Sequence, residues 1–455
     1  MDKALARWAF VFLSASLLVA CGKTEKPGSW LLQVTPDGRF LRHADGTPFF
    51  YMGDTGWLLP EKLNKEEVCT YLDALQANGF NVTQVQTVCG VPCTNAYGKQ
   101  SHPAGYDFSA VDAEGADGYW PHMDYIIREA EKRGIYVGMV CVWGGLVKRG
   151  LMSVDEARSY GTFLAERYKD SPNIIWIMGG DIQGDLYQAE WDTLATTIKR
   201  IDKHHLMTFH PRGRTSSVDF YNDREWIDFN MFQSGHRRYN QRMGDANYPI
   251  PEGTEEDNWR YVETAIRREP RRPVLDGEPS YEHIPQGLRN PEEPRWTARD
   301  ARRYAYWSVF AGACGHTYGH NSIMQFHRES ETAAYGATIE WIEALKAEGF
   351  CEMKHLRRLM TEILPSYFDR VPAQELIVGP VGERYERIAA TRGTNWMAFY
   401  DFAGRPFEAD LSSLRDNPYL YSFSPVDGSL EEVKSFEPEE GRDMVFIASS
   451  VPLHP

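Results

Sequence analysis

The sequence predicts an α/β fold, a (β/α)8 TIM barrel followed by a small antiparallel β-sandwich domain, and three observations predict it. Eight short apolar runs alternate with segments of helical period between residues 49 and 318. No Gly-x-Gly-x-x-Gly loop follows the first run, which disfavours an open dinucleotide-binding sheet. Past about Pro365 the texture changes to strand-like runs separated by turns such as Val426-Asp427-Gly428. The 455 residues accommodate a barrel of about 250–350 residues and a smaller module.

The elements follow in order. Residues 1–20 carry Lys3 and Arg7 and then an apolar run, Trp8–Ala20, too short to span a bilayer as a helix. This reads as a signal peptide. It ends in Leu18-Val19-Ala20-Cys21-Gly22, which resembles a bacterial lipobox, so Cys21 is expected to be lipidated and 21–29 to form a tether. The alternative is an ordinary secretory signal with a chance cysteine. The first reading implies export to the bacterial cell envelope and membrane contact only through the anchor. The barrel then occupies 30–364 and the sandwich 365–455.

Within the barrel region, Asp45-Gly46 between the apolar runs of Phe40–Tyr51 signals a hairpin. The barrel strands are expected at Phe49–Gly53, Asn81–Gln86, Tyr136–Val142, Ile174–Met178, Leu206–His210, Ile227–Phe232, Pro273–Asp276 and Gly315–Tyr318. Helical patterns fall near 65–78, 121–133, 154–169, 188–203, 258–268, 299–312 and 336–349, and the Pro211–Trp226 connection carries the weakest. Gly79 and Gly134 each stand just past a helix and before a strand, the usual terminating position. Beyond the barrel, strands are expected at Glu375–Val378, Arg387–Thr391, Trp396–Phe402, Tyr419–Phe423 and Met444–Ala448.

Composition excludes some functions. A formal charge of -15 with both signs interspersed offers no basic stripe for phosphates, which argues against a nucleic-acid partner. The 13 Trp and 24 Tyr supply flat faces with polar tips, used by sugar clefts and by large cores alike. Cys69, Cys89, Cys93, Cys141, Cys314 and Cys351 match no zinc spacing and read as buried thiols, with a local Cys89–Cys93 disulfide as the alternative.

In such a barrel the chemistry sits at the C-terminal strand ends. Strand one runs into Asp54 and Trp57, strand two ends at Gln86, and strand three runs into Trp143. Strand four ends at Asp181, and strand five gives His210 and Arg212. Strand six gives Gln233 and His236, strand seven Glu278 and Tyr281, and strand eight His316, Tyr318 and His320. Glycosidic cleavage commonly needs two carboxyl groups flanking the anomeric carbon. Asp181 and Glu278, at strands that face each other across the mouth, fit that need. Taken singly, Asp181 could be a helix N-cap after a Gly-Gly turn, and Glu278 a loop ion pair with a nearby arginine.

The other candidates are expected to bind substrate. Asp54 would grip hydroxyls, Trp57 and Trp143 would stack on sugar rings, and the remaining polar strand-end residues would hydrogen-bond the sugar. Asp276 is expected one layer deeper than Glu278, supporting strand eight; Asp185 and Glu282 read as loop carboxylates. His316, His320 and His327 raise a metal site, but glycines around them and the lack of His-Glu-x-x-His favour sugar contacts, so neither metal nor cofactor is expected. No Gly-x-Ser-x-Gly elbow supports an esterase triad.

Tyr51-Met52-Gly53-Asp54-Thr55-Gly56-Trp57, Gly179-Gly180-Asp181, Asp276-Gly277-Glu278 and Gly315-His316-Thr317-Tyr318-Gly319 resemble the apiosidase-like barrel of gut and soil bacteria, glycoside hydrolase family 140. The resemblance covers roughly 30–360, and 366–453 resembles the β-module that usually follows, which carries a collagen-binding label. It implies a retaining glycosidase that releases apiose-linked side chains of the pectic polysaccharide rhamnogalacturonan II. It also implies acid/base and nucleophile roles for Asp181 and Glu278. The wider barrel superfamily more often has Asn-Glu after strand four; this chain has Gly-Asp, as the resembled family does. The expected partner is thus an oligosaccharide or polysaccharide, and the protein a monomer. The alternative is a surface lipoprotein that binds glycan or matrix protein without turnover, against which the paired carboxylates count.

Overall fold

The computed structural model describes residues 29–102, 105–109, 111–241 and 256–454. The expected signal peptide, Cys21 and nearly all of the tether lie outside the described residues.

Eight parallel strands form the barrel: β1 (Tyr51–Thr55), β2 (Val82–Gln86), β3 (Tyr136–Val140), β4 (Ile174–Ile182), β5 (Met207–Pro211), β6 (Asn230–Gln233), β7 (Val274–Asp276) and β8 (Gly315–Tyr318). Seven seams are parallel ladders, running in the order β5-β4-β3-β2-β1-β8-β7-β6. The eighth, β5 to β6, is bridged by Asp228: its backbone N donates to Met207 O at 2.8 Å and its carboxylate accepts from Met207 N at 2.7 Å. Near-continuous Val, Ile and Met runs suit strands buried on both faces. The Asp45-Gly46 hairpin is present, pairing Leu41–His43 with Pro48–Phe49.

The main barrel helices are α1 (Lys65–Ala77), α2 (Tyr119–Lys132), α3 (Val154–Tyr168), α4 (Gln188–Ile201), α5 (Asn258–Ala265) and α6 (Ala298–Phe310), with α7 (Glu348–Arg358) after β8. Three start with reciprocal capping boxes, Asn64 with Glu67, Ser153 with Glu156 and Thr297 with Asp300, which satisfy otherwise orphaned N–H groups. The β5–β6 connection holds only the four-residue helix Val218–Tyr221 and a short strand, Thr215–Ser216, antiparallel to β6. The helix expected over 336–349 is also corrected. Tyr335 and Gly336 have left-handed backbones (φ 51° and 60°), which no right-handed helix can include, so a short helix at Trp341–Ala344 precedes α7.

After the barrel comes an antiparallel sheet of β9 (Val371–Pro372), β10 (Ile388–Arg392), β11 (Trp396–Asp401), β12 (Tyr419–Phe423), β13 (Leu430–Val433) and β14 (Met444–Ser449), in the order β9-β10-β11-β14-β12-β13. Period-two alternation assigns its two faces. Ala389, Trp396, Ala398, Tyr400, Val445 and Ile447 join the core shared with the barrel. Ile388, Ala390, Met397, Phe399 and Phe446 face the other way, under a ribbon of Ile377–Val378 and Glu408–Ala409, and close a second core with Phe407 and Phe436. The strand expected at Glu375–Val378 is thus shortened, because Gln374–Leu376 forms a 3-10 turn. Arg302 of α6 fastens the sheet to the barrel, pairing with Asp443 at 2.8 Å and with Glu352 at 2.5 Å.

Candidate active site

The end of β4 explains Gly179-Gly180-Asp181. The ladder with β5 slips between Gly179 and Ile182, a bulge, and all three residues have positive φ (86°, 97° and 53°). A Cβ on Gly179 would collide with the His210 carbonyl, and one on Gly180 would lie 2.6 Å from the Trp143 ring. Glycine therefore lets the strand wrap round Trp143 and turn Asp181 into the mouth of the barrel. The N-cap alternative does not hold: Asp181 lies within β4, and α4 starts only at Gln188.

Glu278 follows β7 by two residues and is buried. His236 Nε2 donates to its Oε1 at 2.9 Å, and His210 Nε2 stands 3.2 Å from its Oε2. The Tyr281 backbone N approaches His236 Nδ1 at 3.4 Å, which fits a proton on Nε2. Burial opposes charge on Glu278, but these histidine contacts outweigh it and bring its pKa down to about 2. Asp181 is open to the pocket yet crowded by protein. That desolvation, and then the negative charge of Glu278, push its pKa up. The two carboxyl groups are driven apart: one is kept ionised and the other is biased towards holding a proton.

Both line a pocket of about 470 Å³. Trp57, Gln86, Trp143, Arg212, Gln233, His236 and Tyr281 line it as well. His210 is fully buried behind Glu278, its ring 5.5 Å from Trp57 and 5.9 Å from Trp143. Trp57 is nearly buried and donates from Nε1 to Tyr281 Oη at 2.8 Å, so it both walls the pocket and locks Tyr281.

Five residues expected to bind substrate do not line the pocket: His210, which instead backs Glu278, and Asp54, His316, Tyr318 and His320. Asp54 and Tyr318 are partners across the β1–β8 ladder and point out to the helical layer, as does His316 two residues earlier. Asp54 accepts from Tyr71 Oη of α1 at 2.6 Å, and burial raises its pKa to about 7. Tyr318 donates to Glu282 at 2.5 Å, and His316 meets Ser308 of α6 at 3.5 Å. His320 caps the short helix Asn321–Met324 through Ser322 N. The inward residue of β8 is Thr317, which accepts from Gln84. Asp276, expected to support strand eight, instead binds Ser234 at 2.7 Å and Asn258 of α5 at 3.0 Å, because β7 ends there and alternation does not carry to Glu278. Glu282, expected in a loop, is buried, with a pKa raised to about 7 by burial. Among the described residues no three His, Cys, Asp or Glu side chains are placed to share a metal ion.

Sequence reasoning missed Arg214, Arg237 and Tyr335, which also line the pocket. The two arginines follow Arg212 and His236 so closely that reading each strand end further would have found them. Tyr335 follows no strand end and carries no such signal.

Fold and site define a barrel of the glycoside hydrolase class. The chain belongs to the family described as "Apiosidase-like, catalytic domain", whose model matches residues 35–366. A second model, "Putative collagen-binding domain of a collagenase", matches 371–447. A solved structure titled "Glycoside hydrolase" is 52% identical, with a TM-score of 0.91, over 94% of this chain and 98% of that one. A glycoside hydrolase family 5 structure from Bacteroides vulgatus is 52% identical, with a TM-score of 0.89, over 92% and 93% of the two chains. Mannan endo-1,4-beta-mannosidase F of Aspergillus clavatus is 27% identical over 206 residues, 39% of this chain and 46% of that protein, so the chain spans less than half the length of this curated relative.

Proposed function

We propose that this protein is a retaining glycosidase of plant pectic glycan that cleaves apiosyl linkages of rhamnogalacturonan II side chains. The observation that carries the mechanism is the placing of Asp181 and Glu278 in one pocket, with two histidines on Glu278 alone, an arrangement that lowers the Glu278 pKa and raises that of Asp181. Ionised Glu278 attacks the anomeric carbon while Asp181 gives its proton to the departing glycosidic oxygen. Asp181, now a carboxylate, takes a proton from water, whose oxygen displaces Glu278 and restores the free enzyme. His210 and His236 hold Glu278 in its charged form and orientation, and Trp57 with Trp143 supplies the aromatic wall.

Family membership and the resemblance of the strand-end motifs support the apiosyl substrate. The mannan-acting relatives favour β-mannan as a second substrate reading. Digestion of rhamnogalacturonan II oligosaccharides beside β-mannan, with released reducing ends analysed, tests both; apiose-terminated products are expected, and mannooligosaccharides alone would overturn the pectic reading. The proposal extends to export and lipid anchoring at Cys21, for which Cys21→Ala should release the protein from membranes.

A further inference from the structure

We propose that Tyr335 is a substrate-contacting residue that holds the glycan in the pocket shared by Asp181 and Glu278, an inference that rests on the glycosidase reading of this pocket. Ten non-glycine residues among those described have left-handed backbones, and four of them, Asp181, Arg214, Leu288 and Tyr335, line this pocket. Such conformations are disfavoured for residues with a Cβ and persist only where the surroundings impose them.

The surroundings of Tyr335 do so. Its carbonyl accepts from Asn321 Nδ2 at 2.9 Å. Ala334 is gripped on both sides by Gln325, through its carbonyl and its N–H, each at 2.9 Å. Arg295 holds the Gly336 carbonyl at 2.8 Å. Three successive residues are thus fixed from behind by side chains, two of which, Asn321 and Gln325, are buried. A fold that needed only a turn would place glycine at 335, as it does at 336.

What the strain secures is the side chain. Tyr335 is among the exposed large hydrophobic residues, 37% exposed, and its hydroxyl makes no hydrogen bond among the described residues. An amphipathic ring held rigidly at a pocket mouth, with a free polar tip, suits a sugar ring and its hydroxyls.

The test uses Tyr335→Gly and Tyr335→Phe in the full chain, with Asp181→Asn as a control, on rhamnogalacturonan II oligosaccharides and β-mannan. Tyr335→Gly relieves the backbone, so its melting temperature should equal or exceed that of the wild type, while KM rises by about tenfold and kcat changes less. Tyr335→Phe should leave melting unchanged and raise KM by a smaller factor. A merely structural role predicts the reverse, lower melting and lower kcat together, and that result overturns the proposal. So does an unchanged KM in Tyr335→Gly while Asp181→Asn is inactive; there the glycosidase reading survives alone. If the wild type cleaves neither glycan, or Asp181→Asn stays fully active, both readings fall.

Discussion

His236 donates from Nε2 to Glu278 Oε1 at 2.9 Å, and the same ring packs 4.6 Å from that of Tyr281, which Trp57 anchors in turn. The histidine is therefore fixed before substrate arrives, and its proton is aimed at a carboxylate that burial alone would neutralise. Removing it with His236→Asn should raise the Glu278 pKa from about 2 towards the ordinary carboxylate range. The acidic limb of kcat/KM against pH should move to higher pH. At its optimum kcat/KM should fall by about 10–100-fold, the worth of one hydrogen bond to a charged group. A pH–rate profile with an unmoved acidic limb would show that His236 does not govern that ionisation.

Glu278→Gln and Asp181→Asn should both fold and both lose at least about 10³-fold in turnover of natural glycan, but differently. Without its nucleophile Glu278→Gln fails on every substrate. Asp181→Asn should retain more of its first step on an aryl glycoside whose leaving group needs little protonation. Azide should rescue Asp181→Asn with retained anomeric configuration and Glu278→Gln with inverted configuration, as read by NMR of the glycosyl azide. The opposite pattern would exchange the two roles.

Gly180→Ala places a methyl group against the Trp143 ring and forces a left-handed alanine, so the bulge that carries Asp181 must shift. The expected loss of stability is about 1–3 kcal/mol, with a loss of activity larger than a partly unfolded fraction would give. Urea melts beside kcat measurements at a temperature where the variant is folded separate the two effects.

Asp54 and Glu282, with pKa values raised to about 7 by burial, tie stability to pH. The folded state binds their protons more tightly than the unfolded chain, whose carboxylates titrate near 4. Their contribution is complete below that value and is lost as pH rises through about 7. Wild-type stability should therefore fall relative to Asp54→Asn/Glu282→Gln between pH 4 and 8, in urea melts at fixed salt. A constant difference across that range would mean that the two groups stay charged in the folded protein.

The order of strands and helices was written in the sequence because each is specified locally. Ile174–Met178 and Tyr136–Val142 are apolar runs of strand length, Asn64 with Glu67 caps α1 through neighbours in the chain, and Asp45-Gly46 closes a hairpin. The two pocket carboxylates were legible because a parallel barrel puts its strand ends at one mouth. Which strand-end side chains face that mouth was not legible. Asp54, His316 and Tyr318 sit at strand ends yet turn outward, since a period of two gives each strand two faces and the register of its neighbours decides which one is inward. Residues far from any strand end were beyond sequence reasoning too. Tyr335 reaches the pocket only because Asn321, Gln325 and Arg295 fold a left-handed turn beneath it. The carboxyl groups of Asp181 and Glu278 are pushed in opposite directions for the same reason: two histidines from other strands close on one of them, and each carboxyl group feels the other only once the barrel has brought them together.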